Sequence, residues 1–395
     1  MDVNHTVPER CPALLFSKAP IAPERTACVV IPVKNEAARI SQTLAAFAGQ
    51  VDVQGRPLDP ATFEILLLAN NCTDSSVEQI QAFSNQHPAL HLFWEDITLP
   101  PRYANIGYVR RLLMDTACRR LSGTGLILTT DGDTRVAPDW IAQTQWEIAN
   151  GADAVGGRIL LDPAEIDSLD APTYIYHQYD DQYRLLSAEL EALVLETAHN
   201  PSPTHHQHFN GSFAVTAATY IKAGGIPPVT HLEDCAFFER LQHIDAKVRH
   251  STDVWVYTSA RYAGRADIGL SDQLKQWQRL AIQGTELQVE SGWSILQRLT
   301  VRKALMDLWR HRKQPLTDPV AALRKVDPHL QISAAEKEGF RNSVFFGSWY
   351  AQVIQPQAFK HRFRFPDVPI KEAILQLRTA LATYSDPALS HTSIR

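Results

Sequence analysis

The stretch ILTTDGDTRVAPDW, residues 127–140, sets Asp131 and Asp133 one glycine apart at the end of an apolar run. Like charges held that close repel, and neither side chain forms core. Two carboxylates at i and i+2 with a small residue between them can share one cation through hard oxygen ligands. The plainer alternative is capping of a helix that starts near Pro138, for which Asp139 is the better-placed charge. A second acidic pair, Glu233 and Asp234 in HLEDCAFFERL, opens a stretch that reads at the least as the charged first turn of a helix. His205, His206 and His208 in PTHHQHFNGSF have zinc-ligand chemistry. Tetrahedral sites draw ligands from separated turns, so a polar loop is the better reading.

The elements that must position these groups alternate. ACVVIPV (27–33), FEILLLAN (63–70), ALHLFWE (89–95) and GLILTTD (125–131) read as strands. Between them NEAARISQTLAAFAGQ, TDSSVEQIQAFSNQ and NIGYVRRLLMDTACRRL read as helices. Strands apolar on both faces and alternating with helices predict a mostly parallel sheet in a three-layer α/β/α fold. Ligands of such sheets bind beyond the carboxyl ends of the strands, where Asp131 and Asp133 fall. After about residue 154 the pattern loosens. ADAVGGRILLD and VRHSTDVWVYTSAR hold strands, on either side of a tyrosine-rich insertion, APTYIYHQYDDQYRLLSAELEALVLE, expected to be helical after His177. From Ser271 onward the chain reads as helices, with Trp277, Leu280, Leu287, Trp293, Leu296 and Leu299 as core.

The 395 residues suffice for one large or two modest domains, and 45% hydrophobic with 21% charged residues is ordinary for a globular protein. A net charge of -5 gives no reason to expect nucleic acid. Five cysteines, scattered and without C-x-x-C spacing, point to free thiols in a reducing compartment. No run approaches the ~20 apolar residues of a spanning helix. A cytoplasmic location is therefore expected. FKHRFRF at 359–365 mixes rings and cations and could make a peripheral contact with a membrane surface, although packing within the tail is the better reading.

Five blocks, VVIPVKNEAARISQTL, LLLANNCTDSS, TTDGDTRVAPDW, GSFAVTAATYIKAGGIPP and HLEDCAFFERL, stand in the order seen in family-2 glycosyltransferases, which the chain resembles over roughly residues 27–262. The resemblance implies a GT-A fold and an inverting hexosyltransferase using a nucleotide-diphosphate sugar, a UDP-sugar first, with Mg2+ or Mn2+ and an unidentified acceptor. Residues 1–26, with Pro8, Pro12, Pro20 and Pro23 and no periodicity, read as an extended N-terminal arm, and the resemblance implies a GT-A domain at 27–265. That domain divides into a nucleotide-sugar part, 27–135, and an acceptor part, 136–265, with an insertion at 162–208. A helical C-terminal region follows at 266–395.

By the same resemblance, Asp131 lies near the ribose and Asp133 ligates the metal most directly. Pro32, Asn35, Glu36, Asn70 and Asp74 line the nucleotide, and Arg110 approaches the diphosphate. Ala69 and Asn70 stand where the family usually has two aspartates. Asp234 is the implied base, and Glu233 orients it or bonds the donor sugar. Arg261 and Arg265, in the loop after the last strand, are candidates for clamping phosphates. QLKQW (273–277) has Gln276 where processive members carry arginine, which speaks against a polysaccharide synthase. The tyrosine-rich insertion and the HHQH loop are expected at the acceptor. The alternatives are a retaining enzyme on the same fold and a non-catalytic nucleotide-sugar-binding relative. A sugar nucleotidyltransferase is disfavoured by the lack of G-x-G-T-R.

Overall fold

The run ACVVIPV forms β1 (Ala27–Val33), buried along its whole length, in a computed structural model that describes residues 15–264, 268–313, 332–357 and 364–385. β2 (Phe63–Asn70) and then β3 (Leu92–Ile97) add to one side of it in parallel, and β4 (Leu126–Thr130) lies parallel on the other. Next to β4 runs β7 (Ser212–Thr216), antiparallel, with Leu128 opposite Ala214. β6 (Ala154–Leu161) and β8 (Val248–Thr258) follow, parallel to each other, and β5 (Arg135–Val136) closes the edge. The order is β3-β2-β1-β4-β7-β6-β8-β5, with only β5 and β7 reversed. The carboxyl ends of β1, β2, β4, β6 and β8 therefore share one edge.

Strand residues alternate between two apolar layers, which is why the central strands show no polar face. Val29, Ile31, Ile65 and Leu67 pack under α1 (Ile40–Ala48), α2 (Ser76–Gln86) and α4 (Trp140–Ala149). Cys28, Val30, Leu66 and Leu68 pack under α3 (Ile106–Arg120) and α8 (Glu233–His243), with the short α7 (Ala217–Lys222) nearby. The expected three-layer, mostly parallel architecture with a helical C-terminal region is borne out. β7 was not anticipated, although it occupies the middle of the sheet.

After the four-residue α5 (Pro163–Ile166), the tyrosine-rich insertion forms α6 (Ala171–Leu195), longer than expected. It starts before His177 because Asp170 accepts the Thr173 amide at 2.9 Å as N-cap and Pro172 occupies the first turn. α6 carries the C-terminal helices: Leu190 and Val194 pack with Ile295 and Leu299 of α10 (Gly292–Arg310) and with Leu377 of helix Ile370–Ser385. α9 (Leu270–Gln283) brings Trp277 into a smaller cluster with Leu161 and Leu169. Trp293, expected in the core, is 41% exposed, because α10 turns Ser294, Ile295 and Leu299 inward instead. Residues 359–363 of FKHRFRF lie outside the described residues. The four described cysteines are free, and no helix among the described residues is long and apolar enough to cross a membrane.

On the side away from the aspartates, Glu64 is buried between Arg120, whose Nε and Nη2 reach its two oxygens at 2.6 and 2.7 Å, and Arg25 at 3.1 Å. Removing one partner of such a cluster strands the other charges away from water. Glu64→Ala is expected to cost about 3–5 kcal/mol in urea unfolding at an unchanged m-value. A loss below about 1 kcal/mol would show that these charges do not hold the sheet edge to α3.

Candidate active site

β4 delivers the aspartates. Thr130 ends the strand, its hydroxyl donating to Gly211 O at 2.8 Å, and the chain turns through Asp131-Gly132-Asp133, closed by Thr134 N–H on Asp131 O at 3.2 Å. Gly132 faces Val33 and Glu36, where an added Cβ would meet neighbours at 3.1–3.4 Å, so the turn packs tightly on β1. Asp131 stays 40% exposed, while Asp133 is 17% exposed. Burial first, and the Asp131 charge second, push the Asp133 carboxyl up to about 7. The nearest cation is Arg261, which meets Asp133 Oδ2 at 2.9 Å and grips both oxygens of the buried Glu36. Negative charge thus exceeds positive charge at this turn. Two hard carboxylates with surplus charge suit a divalent ion such as Mg2+ or Mn2+, which would restore Asp133 to its charged form.

The loops after β1 and β2 are laced together beside this turn. Asn35, at φ 57, accepts the Thr73 amide at 2.7 Å, and Ala37 N–H donates to Asp74 Oδ2 at 3.1 Å. Ser76 Oγ accepts from Glu36 N–H at 2.7 Å and donates to Asp74. Pro32 is buried at the end of β1, and Asn70 is buried at the end of β2. The next residue, Asn71, bridges to the Leu99 backbone through both amide atoms and is structural. All five expected nucleotide residues therefore stand around one end of the sheet, with Asn35, Glu36 and Asp74 already engaged within the protein.

Arg110 is 2% exposed, and its three guanidinium nitrogens are all used. Nη2 meets Asp131 Oδ1 at 2.6 Å, Nη1 donates to Thr129 Oγ1 at 2.5 Å and Nε meets Glu233 Oε1 at 3.2 Å. Arg110 ties the two acidic pairs to each other. Glu233 also accepts from Asn210 Nδ2 at 3.2 Å, and its carboxyl lies above its usual range, chiefly through burial. Asp234 is half-buried; its Oδ1 accepts from Cys235 N–H at 2.8 Å, and its carboxylate also accepts from the Cys235 thiol. The loop before this pair lies against Gly107 of α3, where a Cβ would fall 1.9 Å from Val229 O. Only glycine lets the two backbones approach so closely. Arg265 lies outside the described residues.

Sequence reasoning missed Asn210. It is 2% exposed, and its Oδ1 is buried with no partner, an acceptor suited to a ligand hydroxyl beside Glu233. The HHQHFN run was noticed for its histidines, but these pack inward rather than fronting an open cleft. His205 is buried: Nδ1 accepts from Gln207 N–H at 3.1 Å, so Nε2 donates to Ser251 O at 3.0 Å. His208 stacks on Phe238 at 3.9 Å, and among the described residues no cluster suits a metal through three or more His, Cys, Asp or Glu side chains.

Residues 28–188 match the family model described as glycosyl transferase family 2. No curated protein sequence matches the chain. Among solved structures, a mannosyltransferase from Pyrobaculum calidifontis in complex with GDP-Man and Mn2+ is 15% identical, covering 92% of this chain and 89% of that one at a TM-score of 0.44. S. aureus TarS 1–349 in complex with UDP-GlcNAc is 14% identical over 91% of each chain, at 0.43. Glucosyl-3-phosphoglycerate synthase from Mycobacterium tuberculosis, with Mn2+, UDP and its glucosylated product, is 15% identical over 67% of this chain and 84% of that one, at 0.37. At these distances the donor has to be argued from the residues of this site.

The histidines make stability depend on pH. Burial holds His205 at about 3, His206 at about 2 and His208 at about 4, and pushes His250 well below its usual value. Each is neutral when folded and takes a proton near 6.5 when unfolded, so its contribution is complete above that pH and is lost as pH falls, by up to ~1.4 kcal/mol per pH unit. Asp133 and Glu233 shift in the opposite sense and offset part of this. Urea midpoints are expected to hold steady from pH 8 to 7 and to fall between pH 6 and 5, less steeply in His208→Phe. A flat profile down to pH 5 would contradict the neutral, buried assignment.

Proposed function

We propose, from the match of residues 28–188 to the glycosyl transferase family 2 model, that this chain moves a sugar from a nucleotide diphosphate to an acceptor hydroxyl with inversion at the anomeric carbon. The observation that carries this reading is the joining of the two acidic pairs through Arg110, which brings a donor-side and an acceptor-side carboxylate to one end of the sheet. Asp131 and Asp133 would hold a divalent cation, Mg2+ or Mn2+, whose chemistry is to neutralise the charge that builds on the leaving diphosphate. Pro32, Asn35, Glu36, Asn70 and Asp74 would receive the base and ribose, with uridine the first choice. Asn210 would accept a hydroxyl of the donor sugar through its unpartnered Oδ1.

The base is Asp234 rather than Glu233. Glu233 is buried and tied to Arg110 and Asn210, so it positions. Asp234 is only half-buried and bonds locally to Cys235 rather than to Arg110, and it would take the proton as the acceptor oxygen bonds to the anomeric carbon and the bond to the phosphate breaks. The freed diphosphate carries the departing electron pair, and Arg261, on Asp133 in this structure, lies within reach of it.

A thermal-shift panel of UDP-, GDP- and dTDP-sugars with and without Mn2+ tests the donor site. One nucleotide is expected to stabilise the protein only with metal, and Asp133→Ala is expected to abolish that shift. A shift that survives Asp133→Ala would remove the metal from this turn. Asp234→Asn is expected to keep the metal-dependent donor shift while turnover falls by about 10²–10⁴; wild-type turnover in Asp234→Asn would eliminate it as base.

A further inference from the structure

A second cleft opens on the same edge of the sheet, and nothing in the donor chemistry uses it. It encloses about 550 Å³ between the carboxyl ends of β6 and β8 and one face of α6. Leu160, Leu161 and Tyr257 come from the strands, and Tyr174, His177, Gln178, Asp181, Gln182 and Leu185 from the helix. The helix residues recur every three or four positions, so they form a single stripe. The strands β4, β6 and β8 run the same way, which puts this cleft beside the Asp131–Asp133 turn. Two links carry the adjacency: the Arg135 guanidinium, two residues past Asp133, sits 5.3 Å over the Tyr257 ring, and a Cβ on Gly211 would touch both Asp131 Oδ2 and Ile159 Cδ1 at 3.2 Å.

The hydrogen-bonding groups of α6 divide by face. Tyr176 and Tyr183, turned toward the C-terminal helices, spend their hydroxyls on Thr285 O and Glu290 O at 2.8 and 2.9 Å. In the cleft, the amides of Gln178 and Gln182 and the hydroxyls of Tyr174 and Tyr257 have no partner among the described residues. The one formal charge there is cancelled: Arg158 holds both oxygens of Asp181 and is itself braced by Gln207 at 2.9 Å. Burial keeps His177 below its usual range. The cleft is therefore close to neutral, with two aromatic rings, a short aliphatic wall and two free amides. That volume falls within the ~300–1,000 Å³ of small-ligand sites. Tyrosine rings pack on the aliphatic face of a pyranose while amides bond its hydroxyls. Among the described residues a phosphate would find no unpaired cation in this cleft, and a long alkyl chain would bury both amides unsatisfied.

Resting on the transferase reading above, we propose that this cleft binds a neutral sugar ring of the acceptor, so that the substrate extended by the enzyme is a glycoside or glycan. The experiment is ligand-observed NMR titration of the full chain with methyl glycosides of glucose, galactose, mannose and N-acetylglucosamine, and with 1-octanol as the alkyl probe. At least one glycoside is expected to bind, with affinity falling about fivefold or more in Gln182→Ala and in Gln178→Ala. Neither amide bonds another described residue, so both variants are expected to keep the wild-type melting temperature. Octanol binding in place of glycosides, no binding at all, or glycoside binding indifferent to both variants would each overturn the proposal. Metal-dependent hydrolysis of the nucleotide sugar by the unsubstituted chain, measured in parallel, needs only the donor site. If hydrolysis persists while glycosides fail to bind, the cleft assignment falls alone; if hydrolysis is absent too, the transferase reading falls with it.

Discussion

The guanidinium of Arg110 is the constraint on which the site depends. It is buried, it touches Asp131 and Glu233 at 2.6 and 3.2 Å, and it uses its third nitrogen on Thr129 of the strand that delivers the aspartates. A buried cation of this kind is tolerable only if charge and hydrogen bonds are both satisfied, and the two acidic pairs satisfy them. The reverse also holds, because the carboxylates could not converge without a cation between them. Arg110 thus fixes the spacing of β4 and α8 in a way that apolar packing would leave loose.

From that tie the rest of the arrangement follows. α3 must hold Arg110 beneath the sheet edge, which its apolar face does by packing Val109, Leu113 and Met114 on β1 and β2. The loop into α8 must reach Arg110, and Gly107 lets its backbone come close enough. Asp131 and Glu233 are then held by Arg110, and Asp133 and Asp234 are the members of each pair that it does not hydrogen-bond. Asp133 is restrained by Arg261, a cation that also grips Glu36 and so joins the loop after β8 to the loop after β1. On the proposed mechanism, this pairing is what a bound ion would replace.

Much of this was legible in the sequence, and the missed parts share a cause. β1 and β2 were readable to the residue because a buried parallel strand is an uninterrupted apolar run with turn residues at its ends. The aspartate pair stood out because charge at the end of such a run needs explaining. β7 was not readable: SFAVT has five residues, and its place in the sheet comes from pairing with strands remote in sequence. The tie made by Arg110 was not readable, because nothing local shows that one of its partners, Glu233, arrives from more than a hundred residues away. Asn210 was hidden for the same reason, and of the second cleft only the tyrosine-rich helix was visible, since its strand wall meets that helix only on folding. Trp293 failed in the other direction, where helical periodicity alone could not say which face α6 would cover.

On the proposed mechanism the donor-side and acceptor-side acidic pairs work on opposite sides of one anomeric carbon. This is tested most directly without knowing the acceptor, by following metal-dependent hydrolysis of an α-linked nucleotide sugar by proton NMR before mutarotation sets in. The β-anomer of the free sugar is expected to appear first. An α-anomer as the first-formed product would contradict the mechanism, because the attacking oxygen would then have entered from the face the diphosphate left.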